Sequence, residues 1–451
     1  MPFKITRAKL AKVRQHTIAN ANYYQYDYYN HFYICKKVHS VVLKSMKVPS
    51  SVIGTEAWWQ SVAQEGTPFI ARKKGEKALV TFLWRDPDGD EFHSAIRNVW
   101  LNIIGITDHH RGGLPHSLKR IAGTDVWQTT LPLSQGWRGS YSLMPDTADE
   151  LPAEPLSMLS LRQWWQRKFP LAQPDRYNPL TGWQSGRGHW VSPLHMPAAP
   201  AQPEWQTEDN RPETLNFSWG STLLGNTRDV AILATGEENP LHRPLVILLD
   251  GKFWLRSQPV AAPLATLTRS GDLPEAVYVF IDSVDNSLRA AELPCNPLFW
   301  QAIQQELLPE LRRKIAFSGQ AKNTVVVGQS FGGLAAVYAV LNWPERFGCA
   351  LSQSGSFWWP RRDHHPERDT GLLIQQVVKG IAGMPGQRIA LDAGWHEKII
   401  LDSNRQLYTL LVDAGLDVRF REIDGGHDAL CWRGGITDGL RWLWSDSVNS
   451  E

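Results

Sequence analysis

The stretch TVVVGQSFGGLAAVYAV, residues 324–340, constrains the fold more than any other part of the sequence. Its first four residues are β-branched, which is typical of a buried strand. From Leu334 onward the residues are Leu, Ala, Val and Tyr, which favour a helix packed on a sheet. The five residues GQSFG, 328–332, separate the two segments and fit the pattern G-x-S-x-G. The order of strand, turn and helix is that of a nucleophile elbow.

The serine of this turn, Ser330, has two interpretations. In a nucleophile elbow, the glycines allow a sharp and crowded turn that lifts the serine hydroxyl above the sheet. In the other interpretation, the segment is a glycine-rich connection and the serine only caps the following helix. The pentapeptide fits both, so the rest of the chain must supply the partners that a catalytic serine needs.

Residues 214–451 alternate strand-like apolar runs with helical stretches. RPLVILLD and AVYVFID are strand candidates, and PLFWQAIQQELLPELRRKI and SNRQLYTLLVDAG are helix candidates. This alternation predicts an α/β domain with a mostly parallel sheet that helices cover on both faces.

Residues 51–190 instead contain short strand candidates separated by turn signals, among them ALVTFLWRD, NVWLNIIGIT, DVWQTTLPL and GSYSLMPD. This pattern predicts a small β-sandwich, with one helix at LSLRQWWQRKF. Residues 191–213 are rich in Pro and Ala and are polar at their end, so we predict a semi-extended linker between two domains.

The first 50 residues are rich in Lys and Tyr and show neither helical nor strand periodicity. Met46 lies just before the more globular sequence, which suggests the hypothesis that the native protein starts there. The N-terminus lacks the apolar core of a signal peptide, and no run approaches the 18 apolar residues typical of a spanning helix. We therefore expect a cytoplasmic protein without membrane insertion.

The charge, cysteine and tryptophan counts limit which kinds of ligand the protein is expected to bind. Lys and Arg number 47 and Asp and Glu number 45, so any recognition of anions is local and bulk nucleic-acid binding is not expected. The four cysteines include no CxxC pair, which argues against a zinc or redox motif. The 21 tryptophans are suited to core packing, and part of the excess also fits a flat aromatic ligand.

A serine hydroxyl is a poor nucleophile until an oriented base takes its proton, and α/β-hydrolases order these groups as Ser, acid and His. His427 follows a strand and two glycines and is the best base candidate after Ser330. Glu397, on the loop after the strand RIALDAG, is the candidate acid. Asp392 lies inside that strand and is expected to be structural, and Asp402 is the reserve acid near the start of the next helix.

A tetrahedral oxyanion needs preorganised N–H donors. One donor is expected from Phe331, directly after the nucleophile, and a second from a loop after an early strand. In LLDGKFW, Gly251 or Lys252 fits this second position, since Gly251 relaxes the backbone there.

With these parts in order, the sequence resembles the enterochelin (enterobactin) esterases, which are cytoplasmic serine esterases of the esterase D type. The resemblance covers roughly residues 55–445 and leaves residues 1–50 outside. It is carried by WWQS, GITDHH, RIAGTDVWQ, WRGSY, LLDGKFW, RAAELPCN, GQSFGGL, WPERFGC, LSQSGSFWWP and GGHDALCWRGG.

The resemblance implies an N-terminal β-sandwich lid domain before an α/β-hydrolase domain, with Ser330, Glu397 and His427 as the charge relay. Some siderophore esterases look like Ser/His dyads, so a dispensable Glu397 is the alternative. The implied substrate is ferric enterobactin, an iron tris-catecholate with three negative charges on a ring of seryl esters.

A site for such a ligand should be cationic and aromatic. Arg289 and Arg433 are the candidate cations. The candidate pocket walls, for which hydrophobic packing is the alternative, are Trp254, Trp358, Trp359 and Trp432. Iron is expected to arrive with the ligand, so we expect no cofactor and no metal site of the protein's own.

The implied reaction is attack of Ser330 on a lactone carbonyl, followed by hydrolysis of the acyl-enzyme, repeated down to dihydroxybenzoylserine. Two alternatives stay open. One is a general carboxylesterase or acyltransferase with the same triad, and the other is a siderophore-binding protein with an inactive elbow.

Overall fold

The chain forms two eight-stranded sheets in the computed structural model, which describes residues 52–71, 75–108, 113–152, 156–205, 212–236, 242–360, 370–381 and 383–445. Each sheet belongs to one compact unit. The N-terminal unit contains the described residues up to Pro200 together with Asp424–Leu430, and the C-terminal unit contains Ala201–Ile423 and the chain from Cys431 onward. The predictions for residues 1–50 and Met46 lie outside the described residues.

Two helices and eight antiparallel strands form the N-terminal unit. Helix α1 (Glu56–Glu65) begins after Thr55, whose side chain accepts a hydrogen bond from the backbone N–H of Trp58. Helix α2 (Met158–Lys168) confirms the helix predicted at LSLRQWWQRKF. The strands are β1 (Phe69–Ala71), β2 (Lys77–Arg85), β3 (Asn98–Ile103), β4 (Ser117–Arg120), β5 (Val126–Ser134), β6 (Arg138–Asp146), β7 (Trp183–Gln184) and β8 (Trp190–His195).

The eight strands follow the order β1-β2-β5-β4-β3-β6-β8-β7. Strand β4 joins the two halves, since it pairs with β3 at its start and with β5 at its end. Side chains from both halves meet in one apolar core, where Val80 and Phe82 of β2 alternate with the same period of two as Val99 and Leu101 of β3. The predicted β-sandwich is confirmed.

Strand β8 corrects the predicted linker at residues 191–213, because Trp190–His195 belongs to the sheet. It pairs with β6, and Pro193 lies opposite Ser140. Proline lacks the N–H that a ladder needs, which made this segment look unsuited to a strand. Pro193 is tolerated because the neighbouring β7 is short and pairs only with Trp190 and Val191.

The C-terminal unit confirms the predicted α/β domain, with strand order β16-β15-β14-β13-β11-β12-β10-β9. The strands from β11 to β16 are parallel, and β9 and β10 add an antiparallel edge. The strands are β9 (Leu215–Ser221), β10 (Asn226–Ala234), β11 (Leu245–Leu249), β12 (Val277–Ile281), β13 (Thr324–Gln329), β14 (Cys349–Gln353), β15 (Arg388–Gly394) and β16 (Asp417–Ile423).

Eight α-helices accompany this sheet in the described part of the chain. They are α3 (Ala261–Arg269), α4 (Asn286–Glu292), α5 (Pro297–Ala302), α6 (Leu308–Lys314), α7 (Phe331–Asn342), α8 (Leu372–Val378), α9 (Ile399–Asp413) and α10 (Ala429–Leu443). A π-helical segment, Ile303–Leu307, connects α5 to α6 and completes the long helix that the sequence predicted. None of the helices in the described ranges is long and apolar enough to span a membrane.

The central strand β13 shows why its sequence is a continuous apolar run. Val326 packs into the core on one face of the sheet, and Val325 and Val327 pack into the core on the other face. A strand covered on both faces needs apolar side chains at every position. The turn that carries Ser330 follows the carboxyl end of this buried strand.

The prediction of one catalytic domain over residues 214–451 needs a correction at Asp424–Leu430. This segment, which follows β16 and includes the first two residues of α10, groups with the N-terminal unit. The cause is a set of contacts with β6 that are distant in sequence, such as the hydrogen bond from the backbone N–H of Arg138 to the carbonyl of Asp424 at 3.1 Å. Patterns within one segment of the sequence cannot predict such contacts.

Candidate active site

Ser330 occupies the turn between β13 and α7. Its backbone has φ 58° and ψ −117°, a conformation that residues other than glycine rarely adopt. Its side chain makes no hydrogen bond that caps α7, which removes the interpretation of this serine as a helix cap. A strained serine at the carboxyl end of a buried strand, with its hydroxyl not engaged by the helix, is the local structure of a nucleophile elbow.

The two glycines of the motif have different structural roles. A Cβ atom on Gly328 would lie 2.2 Å from the carbonyl oxygen of Gly332, so only glycine fits at that position. A Cβ atom on Gly332 would make ordinary contacts, the shortest being 3.6 Å to Cβ of Leu249. Gly328 is therefore what allows the end of the strand and the first turn of the helix to come together.

Backbone strain clusters at this edge of the sheet. Five neighbouring parallel strands are each followed, within four residues, by a non-glycine residue with positive φ. These residues are Asp250 after β11, Val284 after β12, Ser330 after β13, Ser354 after β14 and Lys398 after β15. Each such conformation costs ~1–3 kcal/mol, and such residues cluster at active sites and ligand-binding sites. Ligands of open α/β sheets bind outside the carboxyl ends of the strands, so the strain marks this edge as the functional one.

A second serine lies beside the candidate nucleophile. The hydroxyl oxygens of Ser330 and Ser356 are 3.3 Å apart, and the backbone N–H of Ser356 donates to the carbonyl of Ser330 at 3.1 Å. Ser356 is buried. Sequence reasoning missed this residue, because the serines in LSQSGSF carry no pattern that marks one of them as a neighbour of the elbow.

Glu397 lies on the loop after β15, as predicted, and it is buried. Its Oε2 accepts hydrogen bonds from the hydroxyl of Ser354 at 2.8 Å and from the backbone N–H of Gly394 at 2.5 Å. The hydroxyl of Ser354 also accepts a hydrogen bond from the indole N–H of Trp432 at 2.8 Å. A buried carboxylate held by fixed donors has the rigidity that an orienting acid needs.

The other two carboxylates that the sequence offered have different surroundings. Asp392 is buried and accepts two hydrogen bonds from one edge of the Arg421 guanidinium, with Nε to Oδ1 at 2.8 Å and Nη2 to Oδ2 at 2.9 Å. It has the structural role expected for it. Asp402 lies in the first turn of α9 with its side chain 61% exposed. Glu397 is thus the one of the three that combines burial with a loop position.

The three candidate oxyanion donors all lie at the starts of helical turns. Phe331 is the first residue of α7, and Gly251 and Lys252 open the turn that follows β11. N–H groups at such positions have no acceptor within their own helix. A Cβ atom on Gly251 would lie 2.6 Å from the carbonyl carbon of Phe280, so glycine is required there. The backbone at the second donor position is therefore fixed by packing against β12.

Arg289, predicted as a cation for the siderophore, binds Asp250. Its Nε donates to Oδ1 at 2.7 Å and its Nη2 donates to Oδ2 at 2.6 Å. Burial alone would raise the pKa of Asp250, but the charge and hydrogen bonds of Arg289, with a hydrogen bond from Ser283, lower it below its usual value. The pair lies directly before Gly251 and Lys252, so it stabilises the loop that carries the candidate donors.

Arg433, the other predicted cation, lies in α10. Its Nε donates to Oε1 of Gln202 at 2.7 Å, and its guanidinium carbon lies 5.3 Å from the ring centroid of Trp205. This stacking orients the planar guanidinium. Sequence reasoning missed Gln202 and Trp205, which are far from Arg433 in sequence.

The predicted tryptophan walls differ in exposure. Trp254 is 1% exposed and donates to Oε1 of Gln329 at 2.8 Å, so it supports the residue before the nucleophile. Trp358 is half-buried, 6.1 Å from the ring of Phe331. Trp359 packs against the core, and the indole N–H of Trp432 is engaged by Ser354. Of these four, Trp358 has the clearest position beside the elbow.

A fifth tryptophan was missed by the sequence analysis. Trp395 is 53% exposed and lies two residues before Glu397, on the loop that follows β15. An exposed indole on a loop with a catalytic candidate is suited to stacking on a flat ligand. The sequence AGWHEK places this tryptophan beside the acid, but it does not show that the side chain faces solvent.

A buried polar network lies beneath the elbow. Gln329 donates to Oε1 of Gln353 at 3.0 Å, and Gln353 donates to the carbonyl of Trp432 at 2.8 Å. These bonds connect the carboxyl ends of β13 and β14 to α10. Fully satisfied networks of this kind rigidify their surroundings, so the residues around the nucleophile are held in one arrangement.

His427, the predicted base, lies in the segment Asp424–Leu430 of the N-terminal unit. Its neighbours in sequence make the anchoring contacts. A Cβ atom on Gly426 would lie 3.1 Å from Cγ2 of Ile104, and Asp428 accepts a hydrogen bond from the backbone N–H of Ser140 at 3.0 Å. The glycine before the base therefore permits close approach to the N-terminal sheet.

Within the described ranges, neither a metal site nor the thiols of Cys295 and Cys349 offer an alternative to Ser330. No group of three or more His, Cys, Asp and Glu side chains there is arranged to hold a metal ion. Burial raises the pKa of the Cys295 thiol to about 12 and that of the Cys349 thiol to about 11. Neither is a thiolate near neutral pH, so neither competes with Ser330 as a nucleophile.

Comparison with known families gives two matches that together span both units. Residues 79–205 match the family described as enterochelin esterase, N-terminal, and residues 221–443 match the family described as putative esterase. The iron(III) enterobactin esterase of Escherichia coli O6:H1 is 49% identical over 395 residues, which cover 87% of this chain and 97% of the relative.

Solved structures agree with this comparison. A ferric enterobactin esterase from Salmonella typhimurium has a TM-score of 0.81 at 47% identity, over 88% of this chain and 100% of the other. An enterobactin esterase from Shigella flexneri, crystallised in the presence of enterobactin, has a TM-score of 0.79 at 46% identity, over 88% of this chain and 99% of the other.

Proposed function

Since this chain belongs to the iron(III) enterobactin esterase family, we propose that it is a serine esterase that hydrolyses the trilactone of ferric enterobactin. The observation that carries the proposal is the strained turn at Ser330, whose hydroxyl makes no helix-capping bond at the carboxyl edge of the sheet. A nucleophile in this position fits attack on an ester carbonyl.

The reaction begins with Ser330 and His427. As the serine oxygen attacks a lactone carbonyl, His427 takes the hydroxyl proton, and Glu397 orients and stabilises the imidazolium that forms. The N–H groups of Phe331 and of Gly251 or Lys252 bind the oxyanion; the loss of one such donor typically costs about 100- to 1000-fold in rate. His427 then protonates the departing seryl oxygen, which leaves an acyl-enzyme with an opened ring.

Water completes each cycle. His427 takes a proton from the water that attacks the acyl-enzyme, and the proton returns to Ser330 as the second tetrahedral intermediate breaks down. One cycle gives the linear trimer, and further cycles give the dimer and dihydroxybenzoylserine. Separated catecholates bind iron without the preorganisation of the ring, so hydrolysis weakens the chelate.

Recognition of the substrate follows from its charge and flat rings. Arg433 and Arg289 supply positive charge, and Trp358, with the exposed Trp395, supplies aromatic surface. Iron enters as part of the substrate and leaves with the products, so the protein needs no metal of its own. We place the reaction in the cytoplasm, where reductants that release the iron are present.

The substrate is tested by comparing kcat/KM for ferric enterobactin with kcat/KM for 4-nitrophenyl butyrate. We expect a strong preference for the catecholate trilactone, and loss of both activities in Ser330→Ala. Rapid turnover of the nitrophenyl ester without that preference would support a general carboxylesterase. Tight siderophore binding with no hydrolysis by the wild type would instead support a binding protein.

A further inference from the structure

In the described part of the chain, strand β3 pairs with residues 141–146 of β6 and leaves the start of β6 without a strand partner on that side. Strand β3 ends at Ile103, opposite Tyr141, so residues 138–140 of β6 extend beyond it. The backbone N–H groups of Arg138 and Ser140 point to that same side, and buried N–H groups of a strand edge require acceptors. The segment Asp424–Leu430 supplies both acceptors.

Three contacts fasten this segment to the N-terminal sheet. Arg138 forms a parallel bridge with Gly425, and its N–H donates to the carbonyl of Asp424. Gly426 approaches Ile104 so closely that a Cβ atom would lie 3.1 Å from the Ile104 carbonyl oxygen. Asp428 accepts from Ser140. His427 therefore has an anchored residue on each side.

The carboxylate of Asp428 joins two elements. Its Oδ2 accepts hydrogen bonds from the backbone N–H of Ser140 at 3.0 Å and from the Ser140 hydroxyl. Its Oδ1 accepts from the backbone N–H of Leu430 at 2.8 Å, at the start of α10. Asp428 is 4% exposed. One buried side chain thus connects β6 to the helix that begins two residues after the base.

We propose that Asp428 and Ser140 are positioning residues for the general base. The inference rests on the proposed role of His427. The bonds to Ser140 fix the backbone of residues 427–428, and this restricts the position and orientation of the imidazole. If these two residues act through the base, their loss slows the chemical step for every ester, including small ones. A misplacement of about 1 Å at a reacting group is enough to cost on the order of 100-fold in rate.

The test uses full-length protein with Ser140→Ala, Ser140→Thr and Asp428→Asn, assayed on 4-nitrophenyl acetate and on ferric enterobactin. We expect kcat to fall about 10-fold in Ser140→Ala and about 100-fold in Asp428→Asn, by the same factor for both esters, with KM changed less than about twofold. Ser140→Thr retains the hydroxyl and should recover most of the activity.

Matched controls separate positioning from ordinary stabilisation. Ser142, two residues along β6, is buried and donates to the carbonyl of Trp190 at 2.7 Å. Asp175 is a buried carboxylate of the same unit that accepts from Tyr141 at 2.7 Å. We expect Ser142→Ala and Asp175→Asn to lower Tm and to leave kcat unchanged.

His427→Ala separates the proposed role of His427 as the base from the proposed positioning role of Ser140 and Asp428. If His427→Ala retains activity, the proposed function of His427 is wrong. If His427→Ala is inactive but Ser140→Ala and Asp428→Asn keep the wild-type kcat, the positioning inference alone is overturned. It is also overturned if Ser142→Ala and Asp175→Asn reduce kcat as much as the Asp428 variant does.

Discussion

Arg289 binds Asp250 through the Nε–H and Nη2–H groups of one guanidinium edge, at 2.7 Å and 2.6 Å, and its Nη2 also donates to the carbonyl of Gln329 at 3.1 Å. Asp250 follows β11, and Gln329 is the last residue before the nucleophile. One side chain therefore connects the loop of the candidate oxyanion donors to the elbow. The guanidinium group of Arg289 therefore stabilises the loop, and its positive charge also favours an anion bound at the site.

Replacement of Arg289 tests this connection. Because Arg289→Met leaves the partly buried carboxylate of Asp250 without its cationic partner, we expect a loss of about 2 kcal/mol in the free energy of unfolding and a lower kcat. The double variant Asp250→Asn/Arg289→Met removes the unpaired charge and should recover most of the stability without the activity. Urea unfolding and steady-state kinetics measure both. A stable Arg289→Met whose only defect is a raised KM for ferric enterobactin would show that Arg289 acts in substrate binding alone and does not hold the loop.

The same pair predicts how stability depends on pH. The folded pKa of Asp250 is lowered by Arg289, whereas an unfolded aspartate titrates near 3.9. The stabilisation is complete above that unfolded pKa and is lost as the pH falls through the folded pKa. The difference in unfolding free energy between wild type and Arg289→Met should therefore be constant from pH 6 to 7 and shrink below about pH 4. A difference that stays constant to pH 3 would contradict the pairing.

The two glycines of the elbow should respond differently to alanine. In Gly328→Ala the new Cβ clashes with the Gly332 carbonyl at 2.2 Å, and we expect a destabilisation of more than about 2 kcal/mol with loss of activity. In Gly332→Ala the nearest contact is 3.6 Å and alanine favours the helix, so stability should stay within about 1 kcal/mol of the wild type. Thermal unfolding of both variants measures this. Equal destabilisation of the two variants would contradict the close contact between Gly328 and the Gly332 carbonyl.

The acid is tested by Glu397→Gln, with Asp402→Asn as the exposed control on the following helix. If Glu397 orients His427, kcat should fall by up to on the order of 10⁴-fold in Glu397→Gln and stay unchanged in Asp402→Asn. Ser354→Ala, which removes a hydrogen bond to Glu397, should have a smaller effect in the same direction. Full activity of Glu397→Gln would identify the enzyme as a Ser/His dyad.

The sequence predicted the parts of the molecule whose signals are local. The β-branched run, the pentapeptide around Ser330 and the helix after it lie within 17 consecutive residues, 324–340, so the order of strand, turn and helix was readable from that stretch alone. The run ALVTFLWRD likewise predicted a strand, and residues 78–84 of β2 are buried.

The features that the sequence analysis did not predict depend on contacts between residues that are distant in sequence. Asp250 lies 39 positions from Arg289, and Ser140 lies 288 positions from Asp428. A pattern confined to one segment cannot show that two such residues meet. For the same reason the burial of Trp254 and the membership of Asp424–Leu430 in the N-terminal unit emerged only from the structure.

Hydrolysis of the trilactone by Ser330 is tested most directly by chromatography with mass detection of ferric enterobactin after incubation with wild type and with Ser330→Ala. We predict linear dihydroxybenzoylserine trimer, dimer and monomer with the wild type, and intact trilactone with the variant. Intact trilactone in both reactions, from a wild-type sample that still cleaves a nitrophenyl ester, would contradict the substrate. Equal product from both proteins would contradict the role of Ser330.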